Sequence, residues 1–252
     1  MQLDGKRIIV TGGANGIAAA TVHAYAREGA RVAVLDVEDQ RGREVAAEAG
    51  ASYHHCDIAK HAEVSSVFDR VAAELGGLDV LANVAAVEQN KPAELLDEAD
   101  LDRMLGVNLK GTIFTNQAAF RLMQKSGGRI INFGSGSGVR GQRGAAHYSA
   151  SKGAVMSWTR TVAQEWARYG ITVNAVIPAI WTRMYDAYRQ NLPADQLKMH
   201  DMIMQMNIPL GGRLGDADRD IAPVMIFLAS DGPRFMTGQC LAVDGGMVML
   251  GA

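Results

Sequence analysis

A phenol and an ammonium four positions apart, in Tyr148-Ser149-Ala150-Ser151-Lys152, open a long helical stretch of this 252-residue chain. Residues i and i+4 share a helix face, so the two side chains point the same way. A free phenol titrates near about 10, and lowering it by ~3 units takes about 4 kcal/mol of differential stabilisation. A nearby cation can supply that, which would let the phenol act as a base near neutral pH. Lys152 is one such cation. Alone the spacing is commonplace and equally suits a packed tyrosine beside a solvated lysine.

A second group of residues suits phosphate. Thr11-Gly12-Gly13-Ala14-Asn15-Gly16-Ile17-Ala18 follows an apolar run and precedes a helical pattern. Gly12 permits a tight turn, and Gly16 lets backbone approach a pyrophosphate. The helix start offers unpaired N–H groups and the positive end of a dipole. Ala18 still permits close helix–strand packing where a third glycine is usual. Gly136-Ser137-Gly138-Val139-Arg140-Gly141 also matches G-x-G-x-x-G. Its sequel reads as more loop rather than a helix start, so it lacks the required context. Asp36 lies about 20 residues beyond the first turn and can accept hydrogen bonds from both adenosine ribose hydroxyls. A carboxylate there repels a 2′-phosphate, and no Lys or Arg stands at Asn15 or Val37 to offset it. NAD is therefore favoured over NADP.

These residues need elements to hold them. Short apolar runs at 7–10, 31–35, 52–56, 78–82, 129–133, 172–177 and 239–243 predict seven strands. Helical patterns lie between them at 17–28, 38–49, 63–75, 95–124, 147–169 and 216–229. Such alternation predicts an α/β protein with a doubly wound parallel sheet and helices on both faces. No linker, repeat or low-complexity tract divides the chain, so residues 1–252 form one expected domain. Residues 180–210 are longer than an αβ connection needs, and they carry Trp181, Met184, Tyr185, Tyr188, Met199, Met202, Met204 and Met206. They suggest a lid over the carboxyl ends of the strands, above an apolar pocket.

Composition narrows the partners. With 48% apolar residues and a net charge of −2, nothing favours nucleic acid or an acidic membrane. No apolar run approaches the ~20 residues of a membrane span, and the first residues lack a secretory pattern. Cys56 and Cys240 fit no metal spacing and suit a reducing, cytoplasmic setting. His54, His55 and His61 straddle a strand and a helix start, which argues against a metal site.

Taken together, the residues at 11–18, Asp36, Asp57, Asn83, Asn108, Ser135, Tyr148, Lys152 and Pro178 resemble, in order and spacing, the classical short-chain dehydrogenase/reductase family. The resemblance covers essentially the whole chain, to Val243-Asp244-Gly245-Gly246. It implies a Rossmann fold of seven parallel strands in the order 3-2-1-4-5-6-7. It implies that Tyr148 is the general acid/base and that Ser135, thirteen residues earlier, hydrogen-bonds the substrate oxygen. Lys152 would hold the nicotinamide ribose and lower the phenol pKa, and Asn108 would position a water in a proton relay. The implied cofactor contacts are Gly12, Asn15, Gly16, Ile17, Asp36, Asp57, Ile58, Asn83, Ala85, Tyr148, Lys152, Pro178 and Thr182. Asp57 would meet the adenine, and it also suits a helix N-cap.

Three departures from the family pattern stand out. The usual Asn-Asn-Ala-Gly is Asn83-Val84-Ala85-Ala86, and the usual Pro-Gly is Pro178-Ala179. The threonine expected five residues after that proline is Thr182, four after it, with Arg183 in its place; Thr182 is the candidate carboxamide contact. Ser137, Gln142, Trp181 and Tyr185 are candidate pocket residues. His147 could face substrate, although a surface position at the helix start suits it better.

The expected function is reversible hydride transfer between NAD(H) and a secondary alcohol or ketone. An apolar, cyclic, aromatic or steroid-like substrate is favoured. Arg140, Arg143 and Arg183 near the mouth leave an anionic one open. The alternatives are an enoyl reductase, whose Tyr and Lys are normally spaced wider, and a non-catalytic dinucleotide-binding regulator. A sugar-nucleotide epimerase would be a longer chain. The resemblance also implies a homotetramer, and the apolar stretch Met247-Val248-Met249-Leu250 suits burial against a neighbouring copy.

Overall fold

The computed structural model describes residues 1–250, and within them every side chain except those of Arg183, Met184, Ala187 and Tyr188. The expected roles of Arg183, Met184 and Tyr188 lie outside the described residues. All seven apolar runs become strands of one parallel sheet: β1 (Arg7–Thr11), β2 (Arg31–Asp36), β3 (Ser52–His55), β4 (Val80–Asn83), β5 (Gly128–Phe133), β6 (Ile171–Pro178) and β7 (Cys240–Val243). Their order is β3-β2-β1-β4-β5-β6-β7, as expected. Thr11 pairs with Leu35 on one side and with Asn83 on the other. The strand order reverses between β1 and β4, and the crevice beyond their carboxyl ends is where such sheets bind ligands.

The pleat explains why the strands are apolar almost throughout. Ile9, Leu35, Leu81 and Ile130 face one core, packed under α3 (His61–Leu75), α5 (Thr112–Met123) and α7 (Ala146–Trp166). Ile8, Val10, Val34 and Val80 face the other, under α1 (Gly16–Arg27), α2 (Asp39–Ala49) and α10 (Ala222–Ala229). Each Val, Leu or Ile so buried stabilises the fold by about 1.5–3 kcal/mol relative to exposure. Neither face can tolerate polar alternation, which is the signature of a doubly wound sheet.

The remaining helices are α4 (Glu98–Leu105), α6 (Gly136–Arg140), α8 (Arg183–Gln190) and α9 (Ala194–Asn207). One expectation needs correction. The single helix over 95–124 is broken into α4 and α5. Asp97 caps α4 through a reciprocal box with Asp100, and a widened π turn over Gly106–Gly111 separates the two. The second glycine match itself forms the short α6, with Ser135 as its N-cap, and loop follows it over 141–145, as expected. Its glycines serve packing: a Cβ on Gly138 would lie 2.7 Å from the Gly153 nitrogen, so α6 and α7 meet backbone to backbone.

Candidate active site

At the end of β1 the backbone turns through Gly12, whose φ is +71°. A Cβ there would fall 2.7 Å from the Ala85 Cα, so only glycine fits. Gly16, with φ +55°, opens α1. Asn15 stands at its N-cap without capping it. Its amide donates instead to Glu38 Oε2 at 3.0 Å. With no side-chain cap, the first N–H groups of α1 are available to an anion, which is what a pyrophosphate needs. Asp36 Oδ2 accepts from the Ala14 N–H at 2.9 Å, and Oδ1 from the Glu38 N–H at 3.0 Å. The carboxylate thus braces the turn while keeping further lone pairs for ligand hydroxyls.

Other expected contacts fall around the same crevice. Asp57 Oδ1 accepts from the Ala59 N–H at 3.0 Å, closing a small turn. It does not cap α3, whose N-cap is Lys60. Ile58 is buried against Gly111, where a Cβ would lie 2.8 Å from it. Pro178 ends β6 beside Val243. Ala179 keeps an ordinary φ, since no described non-glycine residue has a positive one. The chain beyond arches back over the turn: the Thr182 methyl lies 4.0 Å from the Cβ position of Gly16. Thr182 Oγ1 also accepts from the Tyr185 N–H at 3.3 Å at the start of α8.

Asn83 points inward. It is 2% exposed, and its Oδ1 accepts from the Thr11 and Thr115 hydroxyls, each at 3.0 Å. That leaves its backbone, not its side chain, to meet a cofactor. Ala85 is fixed nearby through its N–H, which donates to Thr11 Oγ1 at 3.2 Å. The polar network continues inward. Asn132 and Asn116 exchange two amide hydrogen bonds of 2.9 Å. Asn132 also donates to Thr159 Oγ1 at 3.1 Å, and the Trp158 indole donates to Asn116 Oδ1 at 3.1 Å.

Tyr148 and Lys152 lie on the first turns of α7, with the Lys152 Nζ 6.0 Å from the phenol ring centre. Nζ is buried and donates to the Phe133 carbonyl at 2.9 Å. Ser135 lies close enough to Tyr148 for its hydroxyl to favour the ionised phenol, and its Oγ accepts from the Ser137 N–H at 3.1 Å. The Asn108 amide sits in the π turn and grips Val87 twice, accepting from its N–H and donating to its carbonyl, both at 2.8 Å. It also donates to Ser151 Oγ at 3.1 Å, tying the loop after β4 to α7. Ser137 bonds Gln142. The Trp181 indole donates to Asp186 at 2.6 Å, and the Tyr185 hydroxyl meets His200 Nε2 at 2.7 Å. The two aromatic rings stand edge to face, 4.9 Å apart.

The electrostatics depart from expectation. Burial pushes the Tyr148 phenol up to about 12, the Glu88 carboxylate adds to that, and the Ser135 hydroxyl opposes it. Within the protein's own groups, Lys152 does not bring the phenol down. Burial lowers Lys152 itself to about 8, against the pull of Glu88. His147 is also corrected: it is 3% exposed, and neither ring nitrogen has a hydrogen-bond partner among the described residues. Sequence reasoning missed Glu88, Glu38, Ser151 and the Asn116–Asn132 pair. The signal available for Glu88 was a lone charge in the apolar loop Val84-Ala85-Ala86-Val87.

The Lys152 shift carries a stability consequence. Its folded value of about 8 lies below the ordinary 10.5, so between these values the unfolded chain binds more protons. Stability attributable to this group therefore rises with pH across that window. At pH 7 the whole cost is present, on the order of 3 kcal/mol. Lys152→Met is expected to raise the melting temperature at pH 7, and the gain should shrink as pH climbs from about 8 towards 10.5. Melting curves across pH check this; a variant less stable at every pH would contradict it.

The comparisons agree with the fold. A family model described as enoyl-(acyl carrier protein) reductase matches residues 12–248. Sorbitol dehydrogenase of Cereibacter sphaeroides is 36% identical, over 98% of this chain and 98% of its own. D-threitol dehydrogenase of Mycolicibacterium smegmatis is 36% identical, over 97% and 94% respectively. A crystal structure described as a short-chain alcohol dehydrogenase, from Sinorhizobium meliloti 1021, superimposes with a TM-score of 0.89 at 34% identity, covering 98% of this chain and 97% of that one. A doubly wound sheet with a glycine turn at its switch point is a dinucleotide-binding architecture, and the relatives place it among the oxidoreductases. The chain belongs to the short-chain dehydrogenase/reductase family.

Proposed function

We propose that this chain is an NAD-preferring dehydrogenase that oxidises a secondary alcohol to a ketone, reversibly. The observation that carries the proposal is the Tyr148 phenol and the buried Lys152 ammonium sharing one face of α7, with Nζ 6.0 Å from the ring centre and Ser135 beside the phenol. Tyr148 takes the hydroxyl proton of the substrate and returns it in the reverse direction. Ser135 holds the same oxygen as its charge changes, which favours the transition state over the ground state. Lys152 offers its ammonium to the cofactor ribose, and Asn108 keeps α7 and the loop after β4 in register. When bound, the nicotinamide supplies hydride acceptance at its C4 and a positive charge near the phenol.

Several features support the finer choices. The Asp36 carboxylate and Glu38 beside it form an acidic rim where a 2′-phosphate would sit, which favours NAD. Asp36→Ser should shift the NADP-over-NAD ratio of kcat/KM upward by on the order of 100-fold, and an unchanged ratio would count against the assignment. The relatives named for sorbitol and threitol favour an alcohol over the enoyl thioester in the family model's description. Residues 180–210 are read as a lid, whose Trp181 and Tyr185 favour an apolar, cyclic, aromatic or steroid-like body. The exposed Phe227 and Phe235 support a homotetramer. The two free cysteines suit a cytoplasmic setting, and no described helix is long and apolar enough to cross a membrane. Incubation with NAD and a panel of secondary alcohols tests the proposal through the NADH absorbance band. Tight NAD binding with no reduction on any alcohol would favour a regulator instead.

A further inference from the structure

Ser135 stands at the head of α6, and that short helix is held from two sides. On one side it meets α7. A Cβ on Gly138 would lie 2.7 Å from the Gly153 nitrogen and 2.8 Å from the Lys152 carbonyl carbon. Backbone against backbone has little give. On the other side a single side chain faces it. A Cβ on Gly136, the residue after Ser135, would lie 3.0 Å from Val248 Cγ2, and nothing else described outside α6 and Ser135 comes within 4 Å of that position.

Val248 has a firm seat. It is 5% exposed, and its N–H donates to Asp244 Oδ2 at 2.7 Å. Asp244 Oδ1 accepts from the Gly246 N–H at 2.9 Å. Asp244 is itself buried, so residues 244–248 wind round a carboxylate that the backbone satisfies. Arg140, the last residue of α6, donates to the Met247 carbonyl at 2.9 Å. Behind the turn lies the base of the 180–210 segment. The Leu210 N–H donates to the Gly245 carbonyl at 2.9 Å, and a Cβ on Gly245 would lie 2.6 Å from Ile208 Cγ2. Val248 is therefore a backed wedge that presses α6 towards α7. Where α6 rests decides where Ser135 stands, and a displacement of about 1 Å at a reacting group can cost on the order of 100-fold in rate.

We propose that Val248 is a positioning residue: filling the space against Gly136, it holds α6 where the Ser135 hydroxyl lies beside the Tyr148 phenol. Its effect passes through Ser135 and not through any contact with the reacting atoms. The inference rests on the alcohol dehydrogenase reading of Ser135 and Tyr148.

The test uses NAD with the secondary alcohol that the wild type oxidises fastest, and melting curves to show that each variant is folded. Val248→Ala should lower kcat about 10-fold and leave the KM for NAD unchanged, because the glycine turn and Asp36 are held by contacts of their own. Gly136→Ala should also lower kcat, by pushing α6 from the other side of the same contact. Gly136 has no positive φ, so its alanine meets only the question of space. The double variant exchanges one methyl for another across the gap and should recover most of the loss. In a Ser135→Ala background neither substitution should cost more, since residues that act through one another are not additive.

Wild-type kcat in a folded Val248→Ala protein overturns the inference. So does a double variant no faster than the slower single one, or a full further loss in the Ser135→Ala background, which would place the effect elsewhere. Gly136→Ala keeps the wedge intact and decides the question alone if Val248→Ala does not fold: undiminished kcat overturns the inference. If the wild type reduces NAD with no alcohol, the dehydrogenase reading falls and this inference with it. Failure of the inference alone leaves wild-type turnover and its dependence on Tyr148 intact.

Discussion

Tyr148→Phe is expected to lower kcat by about three orders of magnitude, within the 10²–10⁴-fold range of a lost general acid–base, while NAD affinity changes little. The phenylalanine fills the same space on α7, so the helix and its packing persist. The glycine turn and Asp36 that would carry the dinucleotide are held by their own contacts, the Ala14 N–H to Asp36 bond at 2.9 Å among them. Only the proton-bearing oxygen beside Ser135 disappears. Stopped-flow turnover and NAD titration by fluorescence quenching separate the two effects. Undiminished turnover would remove Tyr148 from the chemistry, and a parallel loss of NAD binding would make its role structural.

The second large effect concerns stability. Asn132→Ala should cost about 3–5 kcal/mol and lower the melting temperature by on the order of 10 °C. Asn132 is fully buried. It exchanges two hydrogen bonds with Asn116 and donates a third to Thr159. Truncation leaves the Asn116 amide N–H and the Thr159 hydroxyl oxygen without this partner in a buried interior, each worth about 1–3 kcal/mol, while Asn116 Oδ1 keeps the Trp158 indole. Total stability of 5–15 kcal/mol is typical of such domains, so the variant would retain only a narrow margin. Asn132→Asp isolates the donor side, because it keeps the shape and the Oδ1 acceptor but loses both Nδ2 bonds. Chemical denaturation of both variants checks the prediction; a loss under about 1 kcal/mol in Asn132→Ala would show that water or relaxation satisfies the orphaned groups.

Much of this molecule is legible from residue order. Each strand is a short Val- and Ile-rich run because both faces of the sheet are covered, and the pleat assigns Ile8 and Ile9 to opposite cores. Tyr148 and Lys152 are legible because helical geometry places i and i+4 together. What escapes is set by contacts across the chain. Thr11 meets Asn83 from 72 positions away, and Asn83 meets Asn132 from 49. No local pattern marks those asparagines as one network. The break between α4 and α5 is hidden for a different reason: the apolar periodicity continues through the π turn, and only Asp97 with Asp100 signals where α4 starts. Glu88 escapes because its importance is a matter of which charges it faces, and the loop that carries it is positioned through Val87 by Asn108, twenty-one residues beyond Val87.

Gly12 and Ala85 carry a consequence for mutational freedom. The atoms that would collide there are a Cβ that glycine lacks and the Ala85 backbone, at 2.7 Å for Cα and 3.0 Å for nitrogen. The constraint therefore reads main chain and is blind to most side-chain identities in the facing loop. Val84 and Ala86 can stand where the family usually has Asn and Gly, because nothing in that contact inspects them. The burden of invariance falls on position 12 alone. A library that randomises 84 and 86 to reshape the cleft should return many folded members, whereas one that randomises 12 should return almost none.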